Sequence, residues 1–566
     1  MMNLSTRRDW LVRNAAAFVA ISSRVRPCRP GVMSDGTMAA RIATHAEQVE
    51  LGLPQGLAQR ALDAARAVGA SYADVRLTRT VGHAYRWDQG VTRFDMEAEV
   101  TGVGVRAVID GYWGFAASAF WTPDEVVRLA RDAVVQAKTN AALSMNGSPI
   151  GTLRRVEMGQ VPAVTGMWTT PISIDPFKVS IEEKLDTINY WKIVATENHL
   201  EFKRPLNSYL LFMRQERVVA TSDGTLVTQT LYETGGELIV GRNDVNENHN
   251  LHMFDFMGRG WELIVDAKVP EQLATFRAKL AAETVRGSKP ATVGRYTVVC
   301  DGATMAAVLS STLGRATQLD VALGYEANAG GTSFIDDPLA MVGQSKVASP
   351  FVTVTANRSA PMQLATVRWD DEGVVPEPFP LVKDGVLVDF QTTREQAAWL
   401  APYYQQHGRP IQSHGCARSE DALVTTLQMT PNLALEPSSS KIQLEDLVAT
   451  VREGILLEQG WTIVDFQGRG GLIDGKKTEI KNGRLGKPLD GGAVLFNTQD
   501  LWTHIEALGG AATTQVIAKA DHAFLVGGHG GGQQDKGEPA QATNFSVQAV
   551  AATILNQPLI DPSRKA

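Results

Sequence analysis

Between residues 54 and 68 the apolar positions Leu57, Ala61, Ala64, Ala65 and Val68 fall at helical spacing, and Gly69 follows them. That pattern predicts a helix that stops at the glycine. Over 73–78 the rhythm changes to apolar–polar alternation, the signature of a half-buried strand. Two more strand-like runs, 100–108 and 111–116, flank Asp110-Gly111, a pair that favours a hairpin turn. Thr122-Pro123-Asp124-Glu125 then opens a helix running to about Lys138, with a hydroxyl cap, proline at the first position and acids in the first turn. Helical spacing returns over 181–195 and 270–286. Strands are predicted at 209–214, 217–222 and 227–239, with a tight turn over 221–225. The Gly-Ser-Lys-Pro stretch at 287–290 reads as a domain boundary.

The second half is richer in strands. An apolar run at 298–300 turns at Asp301-Gly302 and enters a helix predicted over 303–313. Strands follow at 351–355, 367–373 and 379–389, the last as two short pieces joined at Asp384-Gly385. An amphipathic helix is predicted over 444–455, strands at 461–466 and 478–480, and a helix from 498 or 500 to 508. The pattern as a whole predicts an α+β protein. Its mixed N-terminal domain would span 50–288 and its strand-rich C-terminal domain 291–560.

At 566 residues the chain exceeds one ordinary domain. Its 44% hydrophobic and 20% charged residues describe a globular protein with a sizeable core. A net charge of -7, with no long Lys/Arg run, argues against nucleic acid as a partner. Cys28, Cys300 and Cys416 form no CxxC pair and give neither a disulfide framework nor a zinc ribbon. The first 33 residues carry Arg7-Arg8, Trp10-Leu11 and a weakly apolar stretch over 14–21. This resembles a twin-arginine export signal, which predicts a periplasmic or exported protein, the other reading of residues 1–33 being a disordered basic tail. Translation starting at Met33 or Met38 would make it cytoplasmic. The apolar stretch is too short to span a bilayer.

Several groups carry possible chemistry. His249 and His252 have no acidic or cysteine partner at ligand spacing. Asp370-Asp371-Glu372 offers three adjacent carboxylates before Gly373, where a structural turn competes with an acid/base or metal role. His407, His414 and Cys416 share a Gly/Pro-bearing loop whose spacing fits no zinc motif. The glycine run at 527–532 lacks the Lys-Ser/Thr of a phosphate-binding loop.

The order of three stretches is specific: Gly69-Ala70-Ser71-Tyr72-Ala73-Asp74-Val75, then Gly102-Val103-Gly104-Val105-Arg106, then Asp110-Gly111-Tyr112-Trp113-Gly114-Phe115-Ala116. With the run from Leu309 through Gly314 to Phe334, and Asp370-Asp371-Glu372-Gly373 ahead of the Asp384-Gly385 hairpin, it resembles the TldD/PmbA family. These are metallopeptidases also described as modulators of DNA gyrase. The resemblance implies a two-domain α+β fold and a peptidase lineage. In metal-bearing members, the helix after the first strand of the C-terminal domain carries His-Glu, three residues, then His. Here those positions are Ser310, Ser311 and Arg315. Histidines five apart on a regular helix are turned about 500° from one another, so the motif needs a distorted helix, and Gly314 stands where distortion is easiest. His529 falls where the family's metal-completing cysteine lies. The resemblance therefore implies the scaffold without the family zinc centre, and no cofactor. It implies a protein that binds extended or unfolded peptide as an added strand. The PmbA (TldE) branch lacks the metal motif and pairs with a metal-bearing partner, so a homodimer or a heterodimer with a TldD-type paralogue is expected. Two alternatives remain. One is an active peptidase holding zinc or a harder cation through Asp320, Glu326, His522 and His529. The other is an exported interaction protein without catalysis.

Overall fold

The computed structural model describes residues 53–562, apart from 89–90, 146–153, 197–207, 241–250, 254, 329, 521–535 and 538. The histidines at 249, 522 and 529 and the export segment lie outside the described residues. Residues Gln55–Ala566 form one compact unit.

The N-terminal part is built on a seven-stranded sheet. Its strands are β1 (Tyr72–Asp88), β2 (Val91–Ile109), β3 (Tyr112–Ser118), β4 (Thr165–Thr169), β5 (Ser208–Thr221), β6 (Leu226–Val240) and β7 (Leu251–Met253). The spatial order is β3-β2-β1-β5-β6-β4, with β7 beside β6. All neighbours are antiparallel except β4 and β6. The β2–β3 turn falls at Asp110-Gly111, both at positive φ, as the sequence predicts. The two strands expected at 209–214 and 217–222 are one continuous strand, since β1 and β6 pair with it on both sides without a break.

Alternation along β1 divides its environment. Val75 and Leu77 are fully buried on the side where β1 packs against the helix Gln55–Ala67. Asp74, Arg76 and Thr78 point to the opposite face and are buried too, against residues 370–372 and 419–422 of the C-terminal half. A polar sheet face covered by protein is the feature that positions everything below.

The C-terminal part has an eight-stranded and a six-stranded sheet. In the larger, Gly294–Cys300 lies between Glu453–Val464 (parallel) and Ala552–Ile560 (antiparallel). Glu453–Val464 also pairs with Gly470–Lys481, closing a ring of five strands. Lys289–Pro290, in the predicted boundary, adds a short strand to this sheet. The helix Gly302–Leu309 packs on Glu453–Val464 on one side and on Asn432–Leu435, Phe545–Ala549 and Gln515–Lys519 of the smaller sheet on the other. Seven of its eight residues are buried, which accounts for its almost wholly apolar sequence. Two predicted helices are shorter than expected. The one at 444 ends at Ala449 because Glu453 onward is committed to the sheet, and the one at 498 ends at Thr503 because Ile505–Leu508 pairs with Ala552–Ile560. No regular strand forms over 367–373.

Candidate functional site

Asp301 starts the motif helix by accepting the Thr304 N–H at 2.8 Å. The α-helix ends at Leu309 and continues as a π-helical turn, Ser310–Gly314. A π turn bonds i to i+5, so it carries positions five apart toward a common face, which resolves the geometric difficulty of the five-residue spacing. Side chains add hydrogen bonds to the carbonyls at the end of this turn, of which Leu313 O also accepts the Thr317 N–H at 3.0 Å. Gln391 Nε2 donates to Gly314 O at 2.6 Å, and Thr317 Oγ1 donates to Leu313 O at 2.7 Å. A Cβ at Gly314 would meet Leu309 O at 2.9 Å and Leu433 Cδ1 at 2.5 Å, so only glycine fits.

The three motif positions are buried and engaged. Ser310 Oγ donates to Ala307 O at 3.2 Å. Ser311 Oγ lies 2.7 Å from Thr462 Oγ1 on the adjoining strand. The Arg315 guanidinium donates to Gly330 O. Two hydroxyls and a cation do not fit a zinc ion, which takes nitrogen, thiolate or carboxylate donors. Among the described residues no three His, Cys, Asp or Glu side chains come together in a metal-holding group.

Asp320 and Glu326 do come together, at the floor of a cleft of about 430 Å³ between the two halves of the compact unit. Lys536, which sequence reasoning missed, sits between them and the strand Leu427–Gln428. Its ammonium donates to both Asp320 oxygens and to Gln428, and Glu326 accepts the Gly537 N–H at 3.0 Å. The cleft walls carry Trp113, Tyr325 and Trp399, with Tyr325 stacked on Trp399 at 5.5 Å and Arg154 lying over the Trp399 ring. Thr426 also lines it, and its buried hydroxyl has no hydrogen-bond partner among the described residues. Glu395 accepts the Trp113 indole N–H at 2.8 Å. Burial raises its carboxyl, Glu372 adds to the rise, and the indole and Arg106 oppose it.

The three adjacent carboxylates are structural. Asp371 faces Arg217 at 2.7 Å, Arg418 at 3.5 Å and Arg76 at 3.8 Å. Burial alone would raise its carboxyl, but these guanidiniums and the Ser419 hydroxyl hold it at about 2. Glu372 pairs with Arg106, which also forks onto Asp74, and accepts the Arg394 N–H. Asp370 accepts the Glu372 and Val374 N–H groups, each at 2.9 Å. Burial and the charge on Glu372 push its carboxyl up to about 7. His414 stacks on Phe379 and meets Asp389 at 3.1 Å, while His407 meets Tyr403 O, so that loop assembles no ligand set either.

The architecture is a strand-rich C-terminal domain around a buried π-distorted helix, and its class follows from comparison with known families. Residues 293–533 match the profile of the PmbA/TldA metallopeptidase C-terminal domain, and 73–137 match that of the PmbA/TldA metallopeptidase domain 1. The chain belongs to the TldD/PmbA family. It is 23% identical over 407 residues to a metalloprotease of Methanocaldococcus jannaschii, covering 71% of this chain and 79% of that one. A metalloprotease of Methanothermobacter thermautotrophicus is 23% identical over 451 residues, 77% and 88% of the respective chains. In structure it resembles a proposed modulator of a DNA gyrase from Thermotoga maritima (TM-score 0.63, 14% identity, 89% of this chain and 99% of that chain). It also resembles TldE from Thermococcus kodakarensis (TM-score 0.60, 14% identity, 89% and 99%). Among the described residues no helix is long and apolar enough to cross a membrane.

Proposed function

We propose that this chain binds extended peptide in the cleft lined by Asp320, Glu326 and Trp399 and does so without a family-type zinc centre, as a PmbA-like partner of a metal-bearing paralogue or as a degenerate member acting alone. The observation that carries the reading is the Arg315 guanidinium, buried one π turn from Ser310, where it opposes any divalent cation. The cleft supports the peptide half of the reading. Aromatic faces at Trp113, Tyr325 and Trp399 suit side chains, and Thr426 supplies an unused hydroxyl to a main-chain group. Likeness to TldE favours the heterodimer over the homodimer. A peptidase using Asp320 and Glu326 as metal ligands is disfavoured, because Lys536 holds the first and Gly537 the second.

Metal analysis of protein purified without added metal tests the first half: less than stoichiometric zinc is expected, and one tightly bound zinc per chain would reject the metal-free reading. Fluorescence titration with unstructured peptides tests the second. Micromolar binding that weakens at least tenfold in Trp399→Ala is expected, and no binding to any peptide of a diverse set would leave only a non-catalytic interaction protein.

A further inference from the structure

Lys536 is 1% exposed and its ammonium is held entirely by oxygen. Nζ lies 2.8 and 2.7 Å from the two Asp320 oxygens, 2.6 Å from the Gln428 carbonyl and 2.7 Å from the Gln428 side-chain oxygen. A carboxylate gripping with both oxygens, a main-chain carbonyl and an amide oxygen form the donor set that proteins offer to hard cations. Three N–H groups facing four acceptors leave no donor unused. Burial pulls the ammonium's pKa down, and the charge on Asp320, then that on Glu326, opposes the fall. Asp320, Glu326 and Gln428 all line the cleft, so this cation lies directly behind its lining. The lysine also fixes its own segment: Lys536 and Gln541 exchange main-chain hydrogen bonds at 3.0 and 2.9 Å, and Gly537 bonds to Glu326.

We propose that Lys536 is the resident cation of this oxygen shell, a side-chain substitute for a metal ion, and that the shell accepts a hard divalent cation such as Ca²⁺ or Mn²⁺ once the ammonium is removed. The inference deepens the metal-free reading above and rests on it. Lys536 is a positioning residue: it neutralises Asp320 and pins residues 536–537 to the cleft floor independently of metal supply.

Thermal melting of the full chain tests this, using Ca²⁺, Mn²⁺ and methylammonium as probes. The parent's Tm is expected to ignore all three. Lys536→Ala is expected to melt several degrees lower and to recover most of the loss with either ion or with the amine. Lys536→Ala/Asp320→Asn should recover nothing with the ions. A lysine that only filled space would leave the variant insensitive to ions and amine alike, and that result overturns the proposal, as does an unchanged Tm in Lys536→Ala. Should Lys536→Ala fail to fold alone, refolding it from urea with Ca²⁺, Mn²⁺ or methylammonium decides instead: recovery of folded protein with each probe is expected, and recovery with none overturns the proposal. Zinc found in the parent and retained by Asp320→Asn would defeat the metal-free reading of the motif while leaving the assignment of Lys536 intact.

Discussion

At the scale of single residues, the strongest commitment is Asp371, a fully buried carboxylate facing three fully or nearly buried guanidiniums. Removing its charge leaves Arg76, Arg217 and Arg418 with an excess of positive charge in a dry interior. Asp371→Asn is therefore expected to cost about 3–5 kcal/mol, read from urea denaturation. A loss under about 1 kcal/mol would place the pairing in the class of solvated surface bridges. Its neighbour gives an opposite pH dependence. Asp370 titrates at about 7 in the folded chain, above its unfolded value, so the folded state binds that proton more tightly. Its stabilising share is complete below about pH 4 and is lost as pH rises toward 7. Asp371, held at about 2, contributes fully above about pH 4 and loses its share as pH falls toward 2. Denaturation midpoints between pH 4 and 7 should accordingly decline less steeply in Asp370→Asn than in the parent.

Elements built from local chemistry were legible in the sequence, and those built from distant partners were not. The turns at Asp110-Gly111 and Asp384-Gly385 follow from residues that tolerate positive φ, which all four adopt. The helix at 444 was overextended because its apolar spacing runs smoothly into Gly454 and Ile455, while the decision to form a strand there comes from Thr297 and Val298 on one side and Ile480 and Glu479 on the other. Lys536 was invisible for the same reason: its carboxylate partner is 216 positions away, and a lone lysine in a polar stretch carries no pattern. The motif helix is legible in the sequence in its place and in the need for distortion at Gly314, where the π turn ends. The π turn sharpens what restoring the family residues should do. Ser310→His, Ser311→Glu and Arg315→His together with His529→Cys should create zinc binding that the parent lacks, measured by competition with a chromogenic chelator. The variant that keeps Arg315 should bind far more weakly, because its guanidinium faces the same side as position 310. A folded quadruple variant without zinc affinity would show that these positions do not converge.

The whole molecule raises the question of whether its two halves are separable. Sequence pattern divides the chain near 287–290, yet Gln55–Ala566 is one compact unit, and the seam between the halves carries buried charged side chains. Arg76, Arg106 and Arg217 come from the N-terminal sheet, and their acceptors Ser419, Glu372 and Asp371 from the C-terminal half, with Arg394 returning to Asp223 at 2.7 Å. An interface between independent domains is ordinarily polar and wet, and its groups rehydrate at small cost when it opens. Here, opening would part the pairs Arg106–Glu372, Arg217–Asp371 and Arg394–Asp223 together, exchanging each charged partner for water. The halves should unfold together. Calorimetry is expected to show one transition, and a fragment starting at residue 291 should be soluble and folded only when co-expressed with residues 50–288. Two resolved transitions, or a well-folded isolated C-terminal fragment, would mean that the charged seam orients the cleft without holding the halves together, and Arg217→Met would then shift peptide affinity with little effect on stability.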